Sequence, residues 1–129
     1  MSEFYGLVEE ICLKDKRYKP DAYEFVLGGL GFTQKKLKKT AHVSGVQLAC
    51  GLRDYAINQY GALAGRVLAH WGINQTQDFG NIVFNMIESK LLSKAEEDSP
   101  LDFEAVYDFK AAFSNILAES VIEGFKPKK

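Results

Sequence analysis

Thr76-Gln77-Asp78-Phe79-Gly80-Asn81-Ile82-Val83-Phe84-Asn85-Met86-Ile87-Glu88-Ser89-Lys90-Leu91-Leu92 carries the most regular apolar pattern in the chain. Within it Phe79, Ile82, Val83, Met86 and Ile87 return at three- and four-residue steps, the spacing that gathers side chains on one face of an α-helix. Thr76 stands where a hydroxyl can cap the first free backbone N–H groups, and Asp78 sets a negative charge near the positive end of the helix dipole. The stretch predicts an amphipathic helix that is the spine of the core.

On its C-terminal side, Ser93 to Pro100 is acidic, contains a proline and has no apolar face, so it reads as a loop. Phe103 to Phe109 is rich in β-favouring residues with partial alternation, which predicts a β-hairpin spanning Leu91 to Asp108. Asp108 is a good N-cap for a last helix through Phe109, Ala112, Phe113, Ile116, Leu117 and Val121, closed by Gly124. The tail, residues 126–129, is expected to be disordered.

On the N-terminal side, Phe4, Leu7, Val8, Ile11 and Cys12 mark one face of a first helix, followed by a charged connector, Lys14 to Lys19. Pro20 suits the first turn of a second helix, carried by Tyr23, Val26, Leu27 and Leu30. Gly28, Gly29 and Gly31 then mark either a break or a close approach of another element. A break or bend is the expectation, since each glycine costs about 1 kcal/mol inside a helix, and Thr33 would cap a further turn. Ala41 to Ser44 reads as a short extended segment. Ser44-Gly45-Val46-Gln47 is a capping box that starts a third helix at Gly45, and Gly61 ends it. A fourth helix, through Leu63, Val67, Leu68 and Trp71, stops at Gly72.

The chain has 129 residues, a hydrophobic fraction of 47% and a formal charge of −1, which predicts one globular domain over residues 1–125. Near-neutrality withholds the broad positive field of nucleic-acid binders. Cys12 and Cys50 lie in apolar surroundings without metal-ligand spacing and read as buried free thiols. The N-terminus shows no secretory signal, and no run approaches the length of a membrane span, so a cytoplasmic protein without a membrane partner is expected.

Short matches to known chemistry have simpler explanations. Asp78-Phe79-Gly80 spells a kinase metal motif but lacks every companion motif, and reads as a helix start. Gly29-Leu30-Gly31-Phe32 is flanked by helices rather than by the strand that a carboxylate-binding loop precedes, and no Gly-Lys-Ser/Thr ending follows it for phosphate. The acidic residues Glu96, Glu97, Asp98, Asp102 and Glu104 lack the ligand alternation of a calcium loop. No cofactor and no metal are expected. His42 and His70 are the only histidines, and each would need an orienting carboxylate or a nucleophile to act as a base.

The order of elements predicts a mainly α domain of about five to six helices with a small β-hairpin, an elaborated winged-helix-like arrangement. Taken as a recognition helix, residues 77–89 would present Gln77, Asn81, Asn85 and Glu88 outward, beside an acidic wing. That outward face is poor in cations and disfavours docking on phosphates.

Arg17-Tyr18-x-Pro20-x-Ala22-Tyr23, Phe32-Thr33-Gln34-Lys35-Lys36, His42-Val43-Ser44-Gly45, Arg53-Asp54-Tyr55-Ala56, Trp71-Gly72-Ile73, Asp78-Phe79-Gly80-x-Ile82-Val83-Phe84-Asn85-Met86 and Val106-Tyr107-Asp108-Phe109 resemble a family of small bacterial proteins of unknown function restricted to Verrucomicrobia and Planctomycetes. The resemblance spans roughly residues 4–113 and implies no activity, cofactor or catalytic residue.

The residues themselves favour a non-catalytic protein-interaction or regulatory module. Its expected partner is a protein, and its expected surface combines Lys35, Lys36, Lys38, Lys39, Arg53, Arg66 and His70. A winged-helix nucleic-acid binder is the alternative, and an enzyme using His42 or His70 as base ranks third.

Overall fold

A computed structural model describes residues 2–38 and 42–113. Five α-helices run in the order α1 (Ser2–Lys14), α2 (Pro20–Leu37), α3 (Gly45–Tyr60), α4 (Ala64–His70) and α5 (Thr76–Glu88), with 3₁₀ turns at Gly61–Leu63 and Pro100–Phe103. A further helix begins at 109–113, and the expected continuation through Ile116, Leu117, Val121 and Gly124 lies outside the described residues, as does the 126–129 tail.

The spine reading of α5 holds. Phe79, Ile82 and Met86 are fully buried, Val83 nearly so, and the helix touches α1, α2, α3 and the Pro100–Phe103 turn. It ends earlier than its apolar pattern, in a Schellman motif. Leu91 N–H donates to Met86 O at 2.8 Å and Lys90 N–H to Ile87 O at 3.0 Å, with Lys90 left-handed at φ 66°.

Several local signals act as the sequence predicts. Gln47 N–H donates to Ser44 Oγ and Ser44 N–H to Gln47 Oε1, closing the capping box that starts α3 at Gly45. The fourth helix stops at Gly72, where φ is 95° and Ile73 N–H reaches back to Leu68 O at 2.8 Å. Asp108 caps the last helix through Ala111 N–H.

The glycines of α2 do not break it. The helix continues through Gly28, Gly29 and Gly31 because two of the three are where α3 approaches. A methyl group on Gly29 would lie 2.2 Å from Leu52 Cδ2, and one on Gly28 would meet the Tyr55 hydroxyl. The contact is reciprocal: a methyl on Gly51 of α3 would lie 1.8 Å from Thr33 Oγ1. Thr33 is therefore not a cap. It is buried in mid-helix and its hydroxyl donates to Gly29 O at 2.7 Å.

The expected β-hairpin over Leu91 to Asp108 is absent, and with it the wing and the winged-helix-like arrangement; the described residues contain no strand. The first strand, expected from Ala41, falls partly outside the described residues, and Val43 and Ser44 are not extended into a sheet. The backbone groups that a strand ladder would pair are satisfied otherwise. Leu91 and Leu92 donate back to Met86 O, Asp98 N–H turns onto Ala95 O, and Val106 N–H donates to Thr76 Oγ1 at 3.1 Å. Thr76 in turn donates to Phe103 O at 2.6 Å, so this buried threonine pins the 100–106 segment rather than capping α5. Phe103 fills a slot left open by two glycines, for a methyl on Gly80 would stand 2.8 Å from its ring and one on Gly45 3.1 Å.

Residues 77, 81 and 85 of α5, expected to face outward, are engaged within the molecule. Gln77 donates to Pro100 O at 3.2 Å, Asn81 to the Tyr18 hydroxyl at 2.8 Å, and Asn85 to Asp15 Oδ2 and the Tyr23 hydroxyl at 2.9 and 3.0 Å. The Tyr18 hydroxyl donates to Asp78 Oδ1 at 2.5 Å, and Asp78 Oδ2 accepts from Asn74 and Gln75 N–H, anchoring the start of α5. The α1–α2 connector is thus only partly solvated: Tyr18 is core, and Asp15 and Arg17 pair through two hydrogen bonds of 2.9 and 2.7 Å.

Candidate binding cleft

The expected cationic surface does not converge. Lys35, Lys36 and Lys38 occupy the C-terminal end of α2, and Lys39 lies outside the described residues. Lys36 and Arg53 are brought together, because both bind Asp54, at 2.7 and 3.1 Å. Arg53 also lies over the Tyr107 ring, 5.4 Å from its centre. Burial acts to raise the Asp54 carboxyl, but the hydrogen bonds from Lys36 and Arg53 outweigh it and hold the group below its usual range. This cluster carries one net positive charge, and its contacts join α2 to α3.

Arg66 and His70 are exposed one turn apart on α4. The C-terminal end of α4 meets the N-terminal end of α2, where Lys19 N–H donates to Trp71 O at 3.1 Å. Lys35 and Lys38 sit at the far end of that 18-residue helix, about 26 Å along its axis at 1.5 Å per residue. The same length separates them from Lys19, the residue before α2. Arg66 lines a second hollow of about 370 Å³ with Asn74, Phe109, Lys110 and Phe113.

A larger hollow lies between the C-terminal half of α2, the residues leading into α3, the second half of α5 and the 92–103 segment. Its volume is about 470 Å³, within the range of ligand sites. The floor is apolar: Leu30, Leu48, Val83, Phe84, Ile87 and Phe103. Ser44 and Gly45 bring the start of α3 to one side, and Leu92 to Ala95 with Asp98, Ser99 and Asp102 form the opposite wall.

One polar pair stands in the lining. His42 Nε2 lies 3.2 Å from Asp98 Oδ1, the two side chains being 42% and 17% exposed. Asp98 is fixed from its other oxygen, which accepts from Ala95 N–H at 2.9 Å, and Lys94 Nζ donates to Ala95 O and Asp98 O. Asp102 accepts from Ser99 N–H at 3.0 Å. The acidic stretch is therefore a turn that ties its own backbone through Asp98 and Asp102, while Glu96 and Glu97 stay exposed. Among the described residues, no group of three or more metal-ligating side chains converges.

Sequence reasoning missed this site. Read from sequence, His42 is a lone base and Asp98 one member of an acidic loop, and their separation of 56 positions hides a contact that the chain path alone creates. Leu91 and Leu92 offered the one available signal: apolar residues that outrun a helix end must bury somewhere.

What the arrangement can do follows from its chemistry. An imidazole held by a carboxylate is suited to proton transfer, but the two serines fixed beside it serve as caps, Ser44 Oγ accepting from Gln47 N–H and Ser99 Oγ from Leu101 N–H. The apolar floor removes hydrophobic surface from water, and the polar rim orients what enters. No helix among the described residues is long and apolar enough to cross a membrane. No protein-family model, curated protein or solved structure matches the chain.

Proposed function

We propose that this domain is a non-catalytic protein-interaction module that holds an apolar part of a partner protein in the cleft between α2, α3 and α5. One observation carries the proposal: a hollow of about 470 Å³ whose apolar lining is continuous with the hydrophobic core and whose polar lining includes the His42–Asp98 pair. Leaving such a floor to water is unfavourable by about 25 cal/mol for each Å² of apolar surface, so burying it under a partner favours association. The inward engagement of Asn81 and Asn85 removes from α5 the side chains that a nucleic-acid reader would use.

The test is affinity capture from native lysate with the full chain and its Phe84→Ser variant side by side. A partner protein retained by the wild type and lost by the variant supports the proposal. Retention that ignores Phe84 overturns it. The His42–Asp98 geometry favours one second reading, an enzyme with His42 as base, and turnover abolished by His42→Ala with folding intact would replace the first reading with that one.

A further inference from the structure

The charges around the cleft are not evenly distributed. The 94–104 segment carries Glu96, Glu97, Asp98, Asp102 and Glu104 against Lys94 alone; Lys94, Asp98 and Asp102 line the cleft, and Glu96, Glu97 and Glu104 are exposed neighbours of lining residues. Three of those carboxylates are uncommitted: Asp98 and Asp102 hold His42 and backbone N–H groups, whereas among the described residues Glu96, Glu97 and Glu104 have no ion-pair partner. The ammonium of Lys94 is turned onto the carbonyls of Ala95 and Asp98, inside the turn. Residues 94–104 thus carry a formal net charge of −4.

The α2 side differs. Leu30 and Gln34 line the cleft from α2, and Lys35 and Lys38 follow Gln34 at the C-terminal end of that helix, outside the lining. Between these banks the apolar floor runs along α5 from Val83 through Phe84 to Ile87 and on to Leu92. A shape with apolar anchors on a long floor and unlike charges on its two sides matches helix-in-groove recognition, in which an amphipathic helix lays its apolar face down and its flanking side chains meet the banks.

We infer that the occupant of the cleft is an amphipathic helical segment of a partner protein with its lysine or arginine residues along one edge, the edge that meets Glu96, Glu97 and Glu104. This rests on the module reading above and adds the partner's chemistry to it. Cations on the segment's other edge would face Lys35 and Lys38, so the positive charge is confined to one side.

The experiment uses the full chain and two fluorescein-labelled peptides of about 16 residues, long enough to be helical in water. Both carry a leucine stripe and a neutral second edge; one has lysines on the first edge and the other glutamates. The lysine-edged peptide is expected to bind about tenfold more tightly or better by anisotropy, to weaken as salt is added, and to lose most of that preference when the chain carries Glu96→Gln and Glu97→Gln together. These two exposed positions leave the fold intact. Amide shifts in the wild-type spectrum must map to Val83–Ile87, His42–Leu48 and Lys94–Glu104, a readout that needs no variant. Equal binding of the two peptides, preference for the glutamate edge, or shifts centred outside those residues overturns the inference. If capture from lysate depends on Phe84 while the peptides show no cationic preference, the inference fails and the module reading stands; if capture ignores Phe84, the module reading fails by itself.

Discussion

Replacing Gly51 by alanine tests the packing of α2 against α3 directly. Two effects oppose each other. Alanine in a helix interior is favoured over glycine by about 1 kcal/mol, so with nothing nearby the change would stabilise. At Gly51 the new methyl would lie 1.8 Å from Thr33 Oγ1 and 2.7 Å from both Thr33 Cβ and Cγ2. Rotating the Thr33 side chain exchanges oxygen for methyl but leaves Cβ in place, so the helices themselves must move apart. Overpacking of this kind costs about 1–3 kcal/mol, and a contact this deep belongs at the upper end, giving a net loss of about 2 kcal/mol. For a chain of 129 residues that is a fall in Tm of about 8 °C. The control is Gly31→Ala, on the same stretch of α2 with nothing within 4 Å of the added carbon, which should gain about 1 kcal/mol. Thermal and urea unfolding followed by circular dichroism measure both, and Gly51→Ala combined with Thr33→Ala should cost at least 1 kcal/mol less than the sum of the single changes. If Gly51→Ala is as stable as Gly31→Ala, or the pair is additive, α2 and α3 do not cross at these residues.

Further outcomes follow from hydrogen bonds, one backbone angle and burial. Asp78→Ala leaves the Tyr18 hydroxyl and two backbone N–H groups without their acceptor and should lower stability by about 3 kcal/mol in urea titration. Thr76→Val removes the bonds to Phe103 O and Val106 N–H, so amide exchange should accelerate first in residues 100–106, before global unfolding. Lys90→Gly relieves a left-handed lysine at the end of α5 and should raise stability by about 1 kcal/mol. The pH limits have opposite signs. The hydrogen bonds from Arg17 hold the Asp15 carboxyl well below the usual range, so its contribution is complete above about pH 4 and is lost as pH falls further; Asp15→Asn should flatten that acid limb. Burial pushes the Tyr23 phenol up to about 12, so the unfolded chain releases this proton first and stability falls by about 1.4 kcal/mol for each pH unit between about 10 and 12, a limb that Tyr23→Phe should reduce.

How much of this was legible in the sequence depends on how far each cause reaches along the chain. The start of α3 and the stop after α4 were readable to the residue, because Ser44 with Gln47, and Gly72 with Ile73, act within a few positions. The glycines of α2 misled because their cause is Leu52 and Tyr55, more than twenty residues away. Phe103, Val106 and Tyr107 misled in another way. Aromatic and β-branched residues suit strands largely because strands are half buried, and here the burial was real while the pairing partner was Thr76 rather than a second strand. Asn81 and Asn85 looked like solvent residues because polarity alone does not separate water from a network with Tyr18, Tyr23 and Asp15. The cleft was least legible, being assembled from four separated segments, none of which carries a motif.

Leu48, Val83 and Phe103 belong at once to the cleft floor and to the hydrophobic core. Occupancy and folding are therefore linked: whatever seats on that floor binds a surface that exists only in the folded chain. An occupant at a hundred times its Kd adds about 2.7 kcal/mol to the stability of the whole domain, whatever its identity. The molecule's own melting curve thus reports on its partner. A screen of peptides or fractions by thermal shift can find the occupant without knowing what it does.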